Sequence, residues 1–177
     1  EFRRVLFRSV MSVDIPNAFI QTEHPLEDSE GNKTIMKIKG TVVDMLCAID
    51  PVYNEYVVIE RGEKVLYLHI TKAIYGMLVS AMLFYRKLRD NLIKYGFELN
   101  PYDPCVANKM VNGKQMTVVW HVDDLKASHK DPKVIDGFLE WVKQTYGSIG
   151  LVKVTRGKKH DYLGMKLDYS VPGQVSI

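Results

Sequence analysis

The sequence predicts an α+β fold in which helices pack on one face of a mainly antiparallel sheet. Three observations lead to this class. Strand and helix patterns mix without regular βαβ repetition, several neighbouring strands are joined by short turns, and two segments have the apolar spacing of amphipathic helices. With the helices on one face, we expect the other face to receive a large ligand.

The composition is that of one globular domain. Of 177 residues, 46% are apolar and 25% are charged, and no repeat or linker divides the chain. The net charge of +3 permits a nucleic-acid partner without requiring one. Cys47 and Cys105 form no C-x-x-C motif and fit a reducing, intracellular setting. No apolar run approaches the roughly 20 residues that cross a bilayer, so we expect no membrane partner.

The first residues do not join well to the strand pattern that begins after them. Leu6 to Ser9 resembles the translation of a sequencing adapter, so residues 1–10 are interpreted as a non-native or assembly-scar segment. The alternative is an ordinary basic, amphipathic N-terminus. The domain prediction therefore covers residues 11–177.

Strands dominate the first part of the chain. Residues 10–15 are β-branched and apolar and are followed by a proline, which predicts a strand ending near Asp14. The alternation of residues 34–38 predicts a half-buried strand, and residues 56–69 have the pattern of a hairpin. Residues 40–56 carry no assigned element.

Two amphipathic helices are predicted from the apolar spacing. The first covers residues 78–95, ends at Gly96, and has an apolar face of Leu78, Met82, Tyr85, Leu88 and Leu92. The second begins after the N-cap Asp131 and runs to Tyr146, with an inward face of Val134, Ile135, Phe138, Leu139 and Val142.

Between the helices the pattern is strand, turn, strand. Residues 105–110 and 116–122 flank an Asn-Gly turn, which favours a tight hairpin. Asp123 and Asp124 then interrupt the apolar pattern, and residues 125–128 return as a third strand.

The segment after the second helix predicts two strands, residues 151–155 and 162–169, joined by a basic turn over residues 156–160. A second basic group consists of Lys126, Lys130 and Lys133. Both groups could contact nucleic-acid phosphates or form an ordinary solvated surface.

The Asp123-Asp124 pair is weak as a signal by itself, because Asp is common in turns. The strand leading into it is strongly apolar, however, so the two charges would be held side by side on an anchored turn. Like charges raise each other's pKa, and a divalent cation relieves that repulsion. Asp14, at another strand end, would complete an all-oxygen site suited to Mg²⁺. A zinc site using His121 and His129 is a weaker alternative, since they lie on opposite arms of the hairpin and no Cys joins them.

Five segments, in this order, resemble the motifs of reverse transcriptases of the copia (Pseudoviridae-like) retrotransposon type. Residues 13–20 resemble the first catalytic motif, an Asp followed by Ala and an aromatic residue. Residues 71–78 resemble a Lys-Ala-Leu-Tyr-Gly-Leu segment, and residues 96–105 a Gly-Phe and Asp-Pro-Cys region. Residues 121–124 resemble the Tyr-Val-Asp-Asp hairpin, and residues 162–165 a Phe-Leu-Gly stretch.

The resemblance implies a reverse-transcriptase palm, with part of the fingers, that carries out two-metal nucleotidyl transfer. Asp14 and Asp123 would bridge two Mg²⁺ ions roughly 3.5–4 Å apart, with Mn²⁺ as a substitute and Asp124 as a weaker ligand. Phe19 would exclude a 2′-hydroxyl, and Gly76 would let the backbone approach the templating base pair. Their structural alternatives are a core Phe and a helix-entry turn.

The resemblance implies nucleic-acid contacts at His121, Leu163 and Gly164, and the basic turn adds Lys158 and Lys159 as a hypothesis. The partners would be an RNA template, a DNA primer, deoxynucleoside triphosphates, and the integrase and RNase H regions of a Pol polyprotein. Location in an intracellular, cytoplasmic retrotransposon particle is expected, with the nucleus as the alternative.

Two departures from the family pattern stand out. His121 replaces the usual Tyr, and the family's upstream fingers strands and downstream thumb and RNase H regions are not in the chain. The alternatives are therefore an inactive relic or nucleic-acid-binding palm fragment, and a metal-dependent phosphoesterase that uses the same carboxylates.

Overall fold

The computed structural model describes residues 8–28, 30–171 and 174–177. The strands are β1 (Ser9–Asp14), β2 (Ile35–Lys39), β3 (Val58–Glu60), β4 (Glu63–His69), β5 (Glu98–Leu99), β6 (Val106–Val111), β7 (Lys114–His121), β8 (Asp124–His129), β9 (Lys153–Arg156), β10 (Lys159–Tyr162) and β11 (Met165–Asp168). The helices are α1 (Thr41–Ile49), α2 (Leu78–Lys94) and α3 (Pro132–Tyr146), and a 3₁₀ helix covers Pro51–Tyr56.

The strands form three sheets. The largest has six strands in the order β5-β6-β7-β8-β1-β9; β10 and β11 form a hairpin, and the third sheet has the order β2-β4-β3. Every pairing between named strands in the described residues is antiparallel. The predicted α+β class with a mainly antiparallel sheet is confirmed.

The chain divides into two compact units. One comprises residues 1–22 and 74–177, and the other residues 23–73. The smaller unit is inserted in the sequence of the larger, and no Gly- or Ser-rich linker marks its ends, so composition did not reveal it. The assignment of residues 11–177 to one partial fingers and palm domain stays a prediction.

Alternation along β1 separates the two faces of the large sheet. Met11 and Val13 are buried in the apolar core, whereas Ser12 and Asp14 point to the opposite face. The same core takes in buried residues of both α2 and α3. The helices of this unit therefore pack on one face of the sheet, as predicted.

Helix α2 confirms the predicted element and part of its predicted face: Leu88 and Leu92 are fully buried and Tyr85 packs against the core, but Leu78 and Met82 do not face inward. Its buried residues are Ser80, Phe84, Leu88 and Leu92, whereas Leu78 is 99% exposed and Met82 is 45% exposed. The physical reason is Phe84, whose ring packs edge-on against Tyr146 and turns the helix so that positions 80, 84, 88 and 92 face the sheet.

Helix α3 matches the prediction closely. The Asp131 side chain accepts a hydrogen bond from the backbone N–H of Lys133, as an N-cap does. Ile135, Phe138 and Val142 are fully buried, while the predicted inward residues Val134 and Leu139 are partly buried at the edge of the core.

The segment after α3 differs from the prediction. It forms three strands in place of two: β9 ends at Arg156, and the expected strand over residues 162–169 is interrupted at Leu163 and Gly164. The φ angles of those two residues are 52° and 76°, so they form the tight turn between β10 and β11. This hairpin contacts the sheet face opposite the helices, because the Ser12 hydroxyl lies 3.0 Å from Nδ1 of the buried His160. That face is thus partly covered and not wholly open.

The unit of residues 23–73 contains the predicted hairpin, β3 and β4, with Arg61 and Gly62 in its turn at φ 51° and 83°. Strand β2 pairs with β4 and alternates in burial, as predicted. Residues 40–56, which had no assigned element, form α1 and the 3₁₀ helix. Asp50 caps the 3₁₀ helix by accepting from the backbone N–H of Val52.

The predicted non-native segment falls largely on residues 1–7, which lie outside the described residues. Ser9 and Val10 form the first pairs of β1, opposite His129 and Ser128. Backbone pairing carries no information about the origin of a segment, so its interpretation as a scar stays a prediction. In the described part of the chain no helix is long and apolar enough to span a membrane.

Two truncations to alanine test the observed core: one in its aromatic centre should destabilise the protein strongly, and one on the exposed face of α2 should have almost no effect. Phe138 is fully buried, and its ring centroid lies 5.7 Å from that of Phe97 and 5.4 Å from that of Trp141. The substitution Phe138→Ala should therefore lower the unfolding free energy of the protein by about 3–5 kcal/mol. Leu78→Ala should change it by less than about 0.5 kcal/mol, because the side chain is exposed. Urea unfolding of both variants measures this. A large loss at Leu78 would contradict the observed helix face.

Candidate functional site

A row of polar side chains crosses the large sheet where four of its strands begin or end; this end of the strands is called the carboxylate edge. Asp14 of β1 lies directly opposite Asp124 of β8 on one side and Lys153 of β9 on the other. Asp124 in turn lies opposite His121 of β7. Residues directly opposite each other in antiparallel strands point to the same face. All four side chains therefore project from the face opposite the helices.

The turn between β7 and β8 is one residue earlier than the sequence predicted. Strand β7 ends at His121, the two turn residues are Val122 and Asp123, and Asp124 already belongs to β8. The backbone N–H of Ile15 donates to the Asp123 carbonyl at 3.0 Å, which ties this turn to the end of β1. Asp14, Asp123 and Asp124 thus come from adjoining backbone positions, as their prediction as one group requires.

Val122 holds a strained backbone in this turn. Its φ is 52°, in the left-handed region that a β-branched residue adopts at a cost of roughly 1–3 kcal/mol. The sequence gives no sign of this, because nothing in a Val-Asp-Asp segment demands a positive φ. Such strain is commonest at functional sites.

The carboxylates crowd one another electrostatically. Partial burial raises the pKa of Asp124, and the negative charges of Asp123 and Asp14 raise it further, against a smaller lowering by His121. A cation bound beside these carboxylates, or a proton on one of them, would relieve the repulsion.

Lys153 supplies one counter-charge that the sequence motifs do not contain. Its Nζ lies 3.2 Å from Oδ2 of Asp14. Asp14 and Lys153 also line a cleft of about 210 Å³, whose walls are Ser12, Val13, Asp14, Asp124, Lys153, Thr155 and Asp161. Sequence reasoning missed Asp161 and Thr155 too, since only the pairing of β9 beside β1 and the packing of the β10–β11 hairpin bring them here.

The segment after Asp14 is held by Gln21, whose side-chain amide donates to the carbonyls of Pro16 and Tyr146 at 2.7 and 2.9 Å. The Lys87 ammonium donates to the Gln21 carbonyl. These bonds connect the end of β1 to α2 and α3, and so restrict where Asp14 can lie.

The side chains of the three carboxylates do not converge on a common point. Within residues 8–28, 30–171 and 174–177, no group of three or more His, Cys, Asp or Glu side chains is placed to hold a metal ion. The donor set itself consists of hard carboxylate oxygens, which suit Mg²⁺ or Mn²⁺.

Phe19 and Gly76, the predicted nucleotide contacts, have structural reasons for their identity. The Phe19 ring lies 4.7 Å from the Tyr75 ring and 6.5 Å from that of Phe84, at the border of the core. Gly76 has φ 91° just before α2, and an added Cβ would meet nothing within 4 Å. The positive φ alone explains this glycine. Their roles at a nucleotide stay predictions.

The predicted nucleic-acid contacts lie at the sheet edge and on the hairpin. His121 is exposed at the end of β7, and Leu163 and Gly164 form the tip of the β10–β11 hairpin. Lys158 is exposed, and Lys159 lies 3.6 Å from the Asp168 carboxylate in a solvent-exposed pair of little energetic weight.

The two histidines of the zinc alternative lie at opposite ends of the β7–β8 hairpin: His121 ends β7 beside the turn, and His129 ends β8. His129, at the far end of that strand, is buried and hydrogen-bonded through both ring nitrogens, to the Asp131 backbone and the Lys114 carbonyl. Five residues of strand, roughly 16 Å, separate it from Asp124, the partner of His121. His129 is a structural histidine, and the pair cannot share one ion.

Comparison with known proteins gives little. No family model matches the sequence, and no curated protein matches it either. Among solved structures, the chain is similar to telomerase from Candida albicans, determined in complex with the TWJ fragment of telomeric RNA, with a TM-score of 0.46 and 13% identity. The match covers 94% of this chain and 32% of that one, so the chain spans about a third of its length. At this level the likeness is weak and identifies no function.

The charge crowding predicts that Asp124→Asn stabilises the metal-free protein. Removing one of two directly opposed like charges should raise the unfolding free energy at pH 7 by up to about 1 kcal/mol. Because folding raises the pKa of Asp124, its ionisation destabilises the fold at neutral pH, and that penalty disappears as the pH falls toward the ordinary value of 3.8.

Urea unfolding in chelator at pH 7 and pH 4.5 measures this effect, and the gap between variant and parent should shrink at the lower pH. Asp136→Asn is the control, since Asp136 pairs with Arg156 at 2.8 Å and its loss should not stabilise the protein. Equal stability of parent and Asp124→Asn at pH 7 would contradict the crowding.

Proposed function

We propose that this chain is part of the catalytic core of an RNA-directed DNA polymerase of the copia retrotransposon type, with a reverse-transcriptase palm fold. The observation that carries the proposal is the pairing of β1 with β8. It sets Asp14, from the first resembling motif, directly opposite Asp124, from the Asp-Asp motif, although the two lie far apart in the sequence. Two motifs that were matched separately in the sequence are thus neighbours in the fold. A chance resemblance gives no reason to expect that.

Asp14, Asp123 and Asp124 would hold Mg²⁺, with Asp14 and Asp123 as the main ligands. Their oxygen donors suit this ion; partial burial raises the pKa of Asp124, and the neighbouring negative charges of Asp123 and Asp14, which a cation would neutralise, raise it further. Bound Mg²⁺ supplies Lewis-acid activation of a primer 3′-hydroxyl and neutralisation of a triphosphate. Mn²⁺ has the same ligand preferences and serves as a substitute.

The other residues of this edge would position nucleic acid and nucleotide. His121 is exposed beside Asp124 and can contact the primer strand. Leu163 and Gly164 present a tight turn at the hairpin tip, and Lys158 and Lys159 place positive charge on the same hairpin region for phosphates. Phe19 would select deoxynucleotides, and Gly76 would lie at the templating base pair.

The wider assignment rests on the resemblance. The partners would be an RNA template, a DNA primer, deoxynucleoside triphosphates and the integrase and RNase H regions of a Pol polyprotein, within an intracellular retrotransposon particle.

A palm that binds nucleic acid without catalysis is the second candidate. The observation that favours it is the arrangement of the carboxylates: no described group of three is placed to hold a metal ion, and the ammonium of Lys153 already contacts Asp14. A protein of this kind would bind a primer-template but not extend it.

Primer extension on an RNA template, with deoxynucleoside triphosphates and Mg²⁺, tests the proposed activity. The chain is assayed together with the segments that its own reading frame encodes upstream and downstream. We expect extension that falls roughly 100-fold or more in Asp123→Asn, because a ligating carboxylate supports several kcal/mol of transition-state stabilisation.

Asp90→Asn is the matched control, since Asp90 is exposed on α2 and paired with Arg89. Binding of the primer-template without extension would favour the non-catalytic palm. Metal-dependent hydrolysis of phosphoesters without extension would favour a phosphoesterase.

The basic hairpin region predicts a change in the salt dependence of duplex binding. Lys158→Glu should weaken binding to an RNA–DNA duplex and reduce the slope of log K against log salt by about one, because one phosphate contact is lost. Binding measured by fluorescence anisotropy between 50 and roughly 200 mM salt reports both. Lys94→Glu, an equal charge change at the exposed end of α2, is the control and should leave the slope unaltered. The same slope in Lys158→Glu would rule out this contact.

A further inference from the structure

The β10–β11 hairpin is held on the large sheet by its side chains. Among the named strands of the described residues, β10 and β11 pair with each other and with no strand of the six-stranded sheet. A hairpin of two strands is marginally stable by itself in water. Its order therefore depends on the side chains that face the sheet, of which His160 is 2% exposed and Leu167 is 6% exposed.

His160 makes both hydrogen bonds that a neutral imidazole can make. Its Nε2 lies 3.1 Å from the carbonyl oxygen of Gly157, which can only accept, so Nε2 carries the proton. Nδ1 is then an acceptor, and the buried Ser12 hydroxyl, 3.0 Å away, donates to it. Because Ser12 lies on β1, between β8 and β9, this bond joins the hairpin to the large sheet.

Positive charge lies near the ring of His160. On β8, Lys126 is directly opposite Ser12. The Lys126 ammonium is 5.3 Å from the ring centroid of Tyr169, and the His160 ring centroid is 5.8 Å from that same centroid. On β9, Arg156 adds a second cation, although it is paired with Asp136 at 2.8 Å. A proton on His160 would therefore place a further positive charge in a buried position beside Lys126.

The other charged groups on the strands and turn around His160 are Asp14, Asp124, Lys153, Lys158, Lys159, Asp161, Lys166 and Asp168. Asp14 is paired with Lys153, and Asp168 with Lys159. Burial lowers the pKa of His160 most, the hydrogen bond to the Gly157 carbonyl raises it in part, and the charges of Lys126 and Arg156 lower it further. The surroundings of the docked hairpin thus favour the neutral imidazole.

We propose that the Ser12–His160 hydrogen bond is a pH-sensitive latch, which holds the β10–β11 hairpin on the sheet while His160 is neutral and releases it when His160 takes up a proton. A proton on Nδ1 removes the acceptor of the Ser12 hydroxyl, and release of the hairpin lets water solvate the imidazolium. Asp161 of the hairpin lines the cleft that also contains Asp14 and Asp124, so release would open that cleft. The latch does not depend on the proposed function.

The direction of the pH effect follows from the lowered pKa. The docked hairpin binds a proton less readily than the released one, so docking is most favourable above the ordinary histidine value of 6.5. As the pH falls below 6.5, the docked form loses up to about tenfold in population ratio for each pH unit, because one proton is taken up on release. The loss stops where His160 takes up a proton in the docked form as well.

Amide hydrogen exchange of the whole chain, followed by NMR at about pH 7.5 and about pH 5.5, tests the latch. Protection factors correct for the intrinsic effect of pH on exchange, and the amides of α3 are the internal reference. In the parent, we expect the protection of the β10–β11 amides to fall severalfold at the lower pH, relative to α3. In His160→Gln, the side-chain amide can donate to Gly157 and accept from Ser12 but cannot be charged, so this protection should be equal at both pH values.

His69→Gln is the matched control, because it removes a histidine from the unit of residues 23–73 and should keep the parent's pH dependence. An equal fall in parent and His160→Gln, or no fall in the parent, would overturn the proposal. If His160→Gln does not fold, titration of the His160 ring in the parent decides. A midpoint below 6.5 that coincides with the loss of hairpin protection would support the latch, and any other result would overturn it.

Discussion

The pairing of β1 between β8 and β9 is the constraint on which the rest of the larger unit depends. Through it, Met11 and Val13 enter the core beneath α2 and α3, while Ser12 and Asp14 point to the opposite face. A shift of the register by one residue would exchange these two sets and bury a carboxylate in the apolar core. Burial of the apolar side chains therefore decides where the charges stand.

The edge of this sheet concentrates features that destabilise the fold. The carboxylates of Asp14 and Asp124 oppose each other, and Val122 adopts a positive φ. The core offsets these local costs, since Phe138, Phe84 and their neighbours lie on the other face of the same strands. Because destabilising features rarely accumulate without a use, their coincidence at one edge is what makes this the candidate site.

Local pattern was enough to predict elements whose side chains satisfy local rules. The hairpin around Asn112 and Gly113 is predicted by turn chemistry, and the start of α3 by the Asp131 cap. The first turns of α2 could not be predicted in this way, although Leu88 and Leu92 were, because Leu78 and Phe84 both fit a helical stripe and only packing against Tyr146 distinguishes them. The break at Leu163 and Gly164 was missed because the residues around it are apolar enough to continue a strand.

By itself, the sequence determined the class of the fold, the order of most elements, and Asp14, Asp123 and Asp124 as the candidate ligands. Composition and short-range spacing carry the information on class and elements, because turns, caps and alternation depend on neighbouring residues, whereas the candidate ligands also depended on the order of the resembling motifs. The tertiary structure alone decided that Asp14 faces Asp124 and Lys153, that Val122 is strained, and that Asp161 lines the same cleft. These relations join distant segments through sheet register and hairpin packing, for which a linear pattern holds no signal.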